Sequence, residues 1–136
     1  LGVGLIFTFT VGLILHELLH LMVYKILGAK KTRLKTLWDQ GAVAAVADQF
    51  VVSEKEFYWL AFTPYAVLTT AGLIALFTTT GWVFYGVSCF LILHATACIG
   101  DFSLAGYMYE NRDREIYTFD DVENDKSYFY VEKEGE

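Results

Sequence analysis

A run of 44 residues without a single Asp, Glu, Lys or Arg, from Phe57 to Gly100, limits the structures that this chain can form. As one helix it would extend about 66 Å at 1.5 Å per residue, roughly twice the thickness of a bilayer's hydrocarbon core. The run must therefore fold back on itself, and Thr78-Thr79-Thr80-Gly81 is the segment that favours a turn. We predict two membrane-spanning helices, at about 57–79 and 82–109, with only Asp101 interrupting the second.

A further span is predicted at the start of the sequence, at about 1–27, where Glu17 is the only formally charged residue before Lys25. The stretch has roughly the 20 apolar residues that a bilayer requires. A cleaved signal peptide is the alternative interpretation. It is disfavoured because the stretch lacks a basic leading region and a small-residue cleavage site, and because polar His16 and Glu17 follow the apolar run directly.

The composition agrees with an integral membrane protein. Of the 136 residues, 55% are hydrophobic and 19% are charged, against roughly 25% charged in soluble domains. The high apolar content, one proline and two cysteines exclude disordered, collagen-like and disulfide-framework classes. Acidic residues outnumber basic ones by 16 to 10, which argues against a nucleic-acid partner.

Basic residues follow two of the predicted spans and set the expected orientation in the membrane. They are Lys25, Lys30, Lys31, Arg33 and Lys35 after the first span, and Arg112 and Arg114 after the third. Under the positive-inside rule, both of these ends lie in the cytoplasm. The turn at 78–81 is then expected on the outer side.

The segments between and after the spans carry their own signals. Residues 33–52 predict a short cytoplasmic β-hairpin around Asp39-Gln40-Gly41. Ser53 to Glu56 has the capping-box pattern, so a helix is predicted to start near Glu54. Pro64 lies inside that helix and is expected to kink it or to separate a short interfacial helix from the span.

The sequence divides into a membrane domain, 1–109, and an acidic cytoplasmic tail, 110–136, which holds ten Asp or Glu residues. Aromatic residues in the tail permit a β-hairpin that pairs 116–119 with 128–131, but a mobile tail is an equally good interpretation. The predicted fold class is an all-α membrane protein with about three transmembrane helices, a short hairpin insertion, and a carboxy-terminal hairpin or acidic tail.

The chemistry of the chain is concentrated in His16-Glu17-Leu18-Leu19-His20, an H-E-x-x-H motif. On a helix the two histidines lie on one face and can bind one metal ion, and Glu17 lies beside them to activate a zinc-bound water. Charged and polar groups inside an apolar span cost free energy, about 2.5 to 3.5 kcal/mol for an ionised side chain at mid-bilayer, so they indicate a functional site. Hydrogen bonding across the helix bundle is the alternative role for these side chains.

A catalytic zinc normally takes three protein ligands, so a third is required besides His16 and His20. Asp101 is the only charged residue from Phe57 to Tyr109. His20 lies seven residues before Leu27 and Asp101 eight before Tyr109, which places both about 10 to 12 Å below the cytoplasmic surface. We therefore predict Asp101 as the third zinc ligand.

Two other residues on the third predicted span share a helical stripe with Asp101, namely His94 and Cys98. Either could replace Asp101 as the ligand. His94 lies about 10 Å further from the cytoplasm, so its expected role is to hydrogen-bond a substrate carbonyl or a metal ligand. Cys89 and Cys98 are nine residues apart on one helix and cannot form a disulfide with each other.

These motifs resemble those of the "Putative zincin peptidase" family, small prokaryotic membrane proteins once classed as a domain of unknown function and similar to minimal site-2 proteases. The resemblance runs from residue 16 to about 131 and is carried by H-E-L-L-H at 16–20, Gly41-Ala42-Val43, Thr63-Pro64-Tyr65, and His94 through Gly100-Asp101. It implies that His16, His20 and Asp101 are zinc ligands and that Glu17 is the general base. It also implies a prokaryotic plasma membrane, and with the orientation from the positive-inside rule the active site is expected to open to the cytoplasm.

The function predicted on these grounds is that of an intramembrane zinc metalloprotease, whose partners are the lipid bilayer and a protein or peptide substrate in or near it. Two alternatives belong to other classes. One is a non-catalytic metal- or haem-binding membrane protein, with His20 and His94 as axial ligands. The other is a degenerate zincin that only binds partners. Three helices barely enclose a site, so a homo-oligomer is compatible with all of these interpretations.

Overall fold

The computed structural model describes residues 2–37, 42–124 and 126–131. Within this part the chain is mostly helical, with two small antiparallel sheets. The elements in chain order are α1 Gly2–Ile26, β1 Thr32–Leu37, β2 Ala42–Ala47, β3 Val52–Ser53, α2 Glu54–Thr78, α3 Gly81–Ala97, α4 Ile99–Glu110, a 3-10 turn Arg112–Arg114, β4 Ile116–Asp121 and β5 Lys126–Val131. Helix α1 packs against α2 and α3, and α4 packs against α2.

Helix α2 begins at Glu54, as the capping-box pattern predicts. The backbone N–H and the hydroxyl of Ser53 both donate to Glu56 Oε2, at 2.9 and 2.7 Å. These bonds satisfy groups that the first helical turn would otherwise leave without partners. Pro64 is buried inside a helix that continues to Thr78, so the predicted separation of a short interfacial helix is wrong.

The third predicted span is interrupted locally. Helices α3 and α4 meet at Cys98, whose ψ of −4° departs from the value of about −42° found in an α-helix. The Cys98 N–H still bonds to the His94 carbonyl at 3.1 Å, and the Phe102 N–H bonds to the Cys98 carbonyl at 3.1 Å. Because hydrogen bonding continues across the junction, α4 follows α3 directly, and the regular helix is interrupted only at Cys98.

Both hairpins considered from the sequence are present. Strands β1 and β2 are antiparallel with Thr32 opposite Ala47, while the predicted turn at 39–41 lies outside the described residues. At the other end of the chain, β4 pairs with β5, so the structure has the hairpin rather than a mobile tail over 116–131. Strand β4 also pairs with β3, which leads directly into α2, and the sheet order is β3-β4-β5.

The hydrophobic core lies at the end of the helices that faces the two sheets. It is formed by Val23, Tyr24, Ala29, Ala47, Val52, Phe57, Leu60, Ala61, Ala105, Met108 and Ile116. The opposite ends of the helices expose large apolar side chains, such as Phe77 at 86% and Trp82 at 78%. In the described part of the chain, two helical segments are long and apolar enough to cross a membrane, 54–78 and 81–110.

Candidate metal centre

The two histidines of the H-E-x-x-H motif lie in the second half of α1. Their side chains are directed toward the same small volume inside the bundle. A spacing of four residues places them on one helical face, one turn apart. Both side chains are buried, and His16 Nε2 and His20 Nε2 are 3.0 Å apart. Two imidazole nitrogens that face each other at this distance converge on a small volume between them.

Asp101 adds a carboxylate to the same volume from α4. It is the third residue of that helix, so the break at Cys98 directly precedes the turn that carries it. Its Oδ2 lies 3.0 Å from His16 Nε2, and its Oδ1 lies 3.5 Å from His20 Nε2. The structure therefore brings together the three residues that the sequence predicts as ligands, although Asp101 follows His16 by 85 positions in the chain.

The donor atoms of His16, His20 and Asp101 fit a zinc ion. Four ligands placed tetrahedrally at about 2.0 to 2.1 Å from zinc lie about 3.3 Å from one another. The separations among the two Nε2 atoms and the carboxylate oxygens, 3.0 to 3.5 Å, span this value. Two imidazoles and one carboxylate are also a donor set found in catalytic zinc sites, where a fourth position is open.

Each of the two histidines has a second partner that orients its ring. His20 Nδ1 donates to the backbone carbonyl of Leu60 at 3.0 Å, which leaves the Nε2 lone pair directed at the centre. His16 Nδ1 lies 3.2 Å from His94 Nε2. Metal-binding histidines commonly donate their other N–H to an oxygen or other acceptor, and this fixes the tautomer and the ring orientation.

His94 and Cys98 lie on the other side of His16. Cys98 Sγ is 3.6 Å from His94 Nε2 and 3.9 Å from His16 Nδ1, so these three residues form a second group of donor atoms. A neutral imidazole has one nitrogen lone pair, so His16 can bind a metal ion as part of only one of these two groups at a time. If His16 binds a metal ion through Nε2, the other ligands on that side are His20 and Asp101. The Nδ1–H of His16 then donates to His94 Nε2.

His94 is enclosed by aromatic rings. It stacks on Phe90, with ring centroids 5.5 Å apart, and lies parallel to Tyr65 at 6.4 Å. Its Nδ1 is buried and has no hydrogen-bond partner among the described residues. The His16 ring lies between those of His20 and His94, within hydrogen-bond distance of both. It therefore occupies the space that a haem with His20 and His94 as axial ligands would require.

Glu17 faces the hairpin rather than the bundle interior. Its Oε2 accepts a hydrogen bond of 2.6 Å from the backbone N–H of Ala45 on β2. The carboxylate is close enough to His20, His16 and Asp101 for electrostatic interaction. Glu17 thus connects α1, which carries the two histidines of the candidate centre, to the backbone of β2.

Sequence reasoning missed the two backbone groups that hold this site, the Leu60 carbonyl and the Ala45 N–H. Backbone groups leave no residue-type signature, so neither could be read as a functional residue. The Leu60 carbonyl had one indirect signal in the sequence. Leu60 stands four residues before the only proline, which has no N–H to donate to that carbonyl. Ala45 had none beyond its place in the predicted hairpin.

A mostly helical protein whose H-E-x-x-H histidines meet a carboxylate in its interior has the arrangement typical of the zinc-dependent peptidases called zincins. The sequence profile of the family described as "Putative zincin peptidase" matches residues 9–115, which include every side chain of the centre. The chain belongs to this family. No curated protein and no solved structure matches it. The family description supports metallopeptidase activity and zinc as the cofactor.

Proposed function

We propose that the protein is an intramembrane zinc metallopeptidase that hydrolyses peptide bonds of substrates in or next to the bilayer. The convergence of His16 Nε2, His20 Nε2 and the Asp101 carboxylate within 3.0 to 3.5 Å carries the proposal. His16, His20 and Asp101 would hold a zinc ion there, and the ion would supply a Lewis acid for the scissile carbonyl and would make water more acidic. The proton transfers of the reaction are assigned to side chains of the protein.

Glu17 is proposed as the general base. It lies on α1 between the two proposed histidine ligands in sequence, and its carboxylate is within electrostatic range of His20, His16 and Asp101. A carboxylate in this place can take a proton from the attacking water and deliver it to the leaving amine. The 2.6 Å bond to the Ala45 N–H holds Oε2 in a fixed direction, so Glu17 is oriented before substrate arrives.

The surface of the helices supports a location inside a membrane. In the most apolar windows of 54–78 and 81–110, only 17% and 11% of the residues are buried within the protein. Such helices in water would expose large apolar areas, which soluble monomers rarely do. With α1 as a further span, the protein is proposed to cross the bilayer three times, with its sheets and its site opening on the cytoplasmic side.

The edge of β2 that faces away from β1 is proposed to bind the substrate as an added strand at Val43. The Ala45 N–H points away from β1, because it bonds to Glu17 on α1, and Val43 shares this edge by the two-residue repeat of a strand. Further along, Asp48 bridges to Asp120, which covers the edge there. A peptide paired with Val43 would be held in the unwound form that hydrolysis needs, with its backbone beside Glu17, which keeps the Ala45 N–H.

The peptidase proposal is tested by comparing new protein amino termini in membranes from cells that express the wild type or Glu17→Gln. The variant keeps the shape of the side chain but cannot accept a proton. New termini in or near membrane spans are expected with the wild type only. Identical sets of termini, with zinc bound to both proteins, would contradict peptidase activity and favour a zincin that only binds partners.

The strand-addition proposal has its own test. Val43→Pro removes the N–H of Val43 from this edge of β2 without touching the bond between Ala45 and Glu17. Proline is tolerated at a strand edge whose N–H is unpaired, so the hairpin is expected to remain. Cleavage should fall while zinc content stays unchanged. Unaltered cleavage would show that the substrate does not pair with this edge.

A further inference from the structure

The one proline of the sequence lies where it changes the hydrogen bonding of a residue in the metal centre. Pro64 is in the interior of α2 and is almost fully buried. In a regular helix the N–H of each residue donates to the carbonyl four residues earlier, which for position 64 is the carbonyl of Leu60. Proline has no N–H and its ring pushes that carbonyl aside.

The Leu60 carbonyl is the group that accepts the Nδ1–H of His20 at 3.0 Å. Resting on the proposed function, we infer that Pro64 is a positioning residue: by leaving the Leu60 carbonyl without its helical donor, it supplies the acceptor that orients His20 toward the metal. No contact with the metal or the substrate is assigned to the proline. It acts through one backbone oxygen and one imidazole.

Burial explains why the freed carbonyl needs such a partner. Leu60 is 5% exposed and His20 is 8% exposed, so water has little access to either group. A buried carbonyl without a donor and a buried N–H without an acceptor are both costly, and the bond between them satisfies both at once. It also fixes His20 as the tautomer with Nδ1 protonated, which is the one whose Nε2 can bind zinc.

The same turn of α2 makes a second contact with the site. The ring of Tyr65, next to Pro64 in sequence, lies parallel to the ring of His94. By contrast, the Thr63 hydroxyl donates to the Trp59 carbonyl at 2.6 Å, on the exposed side of the helix. Two neighbouring carbonyls of α2 therefore have different partners: that of Trp59 receives a hydroxyl of its own helix, and that of Leu60 receives His20.

The test measures the zinc affinity of the full-length protein in detergent by competition with a chelator. Pro64→Ala and Pro64→Gly both restore the N–H that competes with His20 for the Leu60 carbonyl. Both are expected to weaken zinc binding by about tenfold, the lower end of the effect of removing an outer partner of a metal ligand. Thermal unfolding of the zinc-free protein is the folding control, since the variants gain a helical N–H but take the acceptor of the buried His20 N–H. A cooperative transition in both variants shows that weaker zinc binding does not come from unfolding.

The two variants separate this role from a purely structural one. If Pro64 mattered only by bending α2, glycine would preserve the affinity better than alanine, since glycine permits a bend. Thr63→Ala is the matched control; it removes the bond to the Trp59 carbonyl and should leave the zinc affinity unchanged. Wild-type affinity in both proline variants would overturn the inference and leave the proposed function intact. A wild type that binds no zinc would overturn both.

Discussion

Replacing Asp101 with asparagine should remove most of the stabilisation that zinc gives to the fold. Asp101 is one of three proposed ligands, and its two oxygens face the two Nε2 atoms at 3.0 and 3.5 Å. Asparagine keeps the shape of the side chain but loses the negative charge that zinc prefers. We expect the affinity to fall by at least about 100-fold, since changing an outer partner of a ligand alone costs 10- to 100-fold.

The size of the effect follows from mass action. At a free zinc concentration about 100 times the wild-type Kd, binding stabilises the folded state by about 2.7 kcal/mol. For a variant with a 100-fold weaker site, the same concentration equals its Kd, and the stabilisation is about 0.4 kcal/mol. The difference of about 2.3 kcal/mol corresponds to a Tm difference of roughly 7 to 12 °C for a chain of this length.

The assay is thermal unfolding in detergent with and without buffered zinc. Without zinc, Asp101→Asn should unfold within about 1 kcal/mol of the wild type, the net value of one hydrogen bond. Asp113→Asn, in the exposed 3-10 turn, is the matched control and should keep the full zinc-dependent shift. The same zinc-dependent shift in Asp101→Asn as in the wild type would refute Asp101 as a ligand.

Three further changes test separate parts of the structure. His94→Phe keeps the ring volume but removes the Nε2 that faces His16 Nδ1, so zinc affinity in chelator competition should drop by about 10- to 100-fold; an unchanged affinity would contradict its orienting role. A Cβ at Gly12 would overlap the Phe90 ring, whereas one at Gly106 meets open space. Gly12→Val should therefore lower the free energy of unfolding by about 1 to 3 kcal/mol, and Gly106→Ala should not lower it; equal stabilities would show that α1 and α3 are not packed closely. Ser53→Ala removes the cap of α2 and should cost about 1 kcal/mol in thermal unfolding, with no change in zinc content.

The elements that sequence reasoning predicted well are those with a local physical signal. The start of α2 follows from the capping box at Ser53, and the turn between α2 and α3 follows from an uncharged run too long for one span. The first hairpin follows from its turn residues and strand alternation. Each of these signals lies within a few residues of the feature that it predicts.

The features that could not be predicted depend on contacts distant in sequence. The carboxy-terminal hairpin is stabilised by its pairing with β3, through Val52 opposite Thr118, and a strand of two residues leaves no pattern of its own. The break at Cys98 was hidden because hydrogen bonding and apolar character continue through it. Pro64 was read as a kink or a helix boundary, since its effect on the Leu60 carbonyl matters only once His20 is known to lie opposite.

The residues of the candidate centre could be predicted from the sequence. The role of each residue within the centre could not. The spacing of His16 and His20 and the isolation of Asp101 in an apolar span point to the three side chains that the structure brings together. Which of Asp101, His94 and Cys98 accompanies the two histidines depends on which nitrogen of His16 each one faces. That is a property of ring orientation, which follows from the bonds to Leu60 and His94 and not from helical spacing.

The proposed function requires one zinc ion per chain, held through His16, His20 and Asp101. It is tested most directly by elemental mass spectrometry of the detergent-purified wild type beside Glu17→Gln and His20→Ala. We predict about one zinc per chain in the wild type and in Glu17→Gln, and none in His20→Ala. A wild type without zinc, or His20→Ala with its zinc retained, would contradict the account.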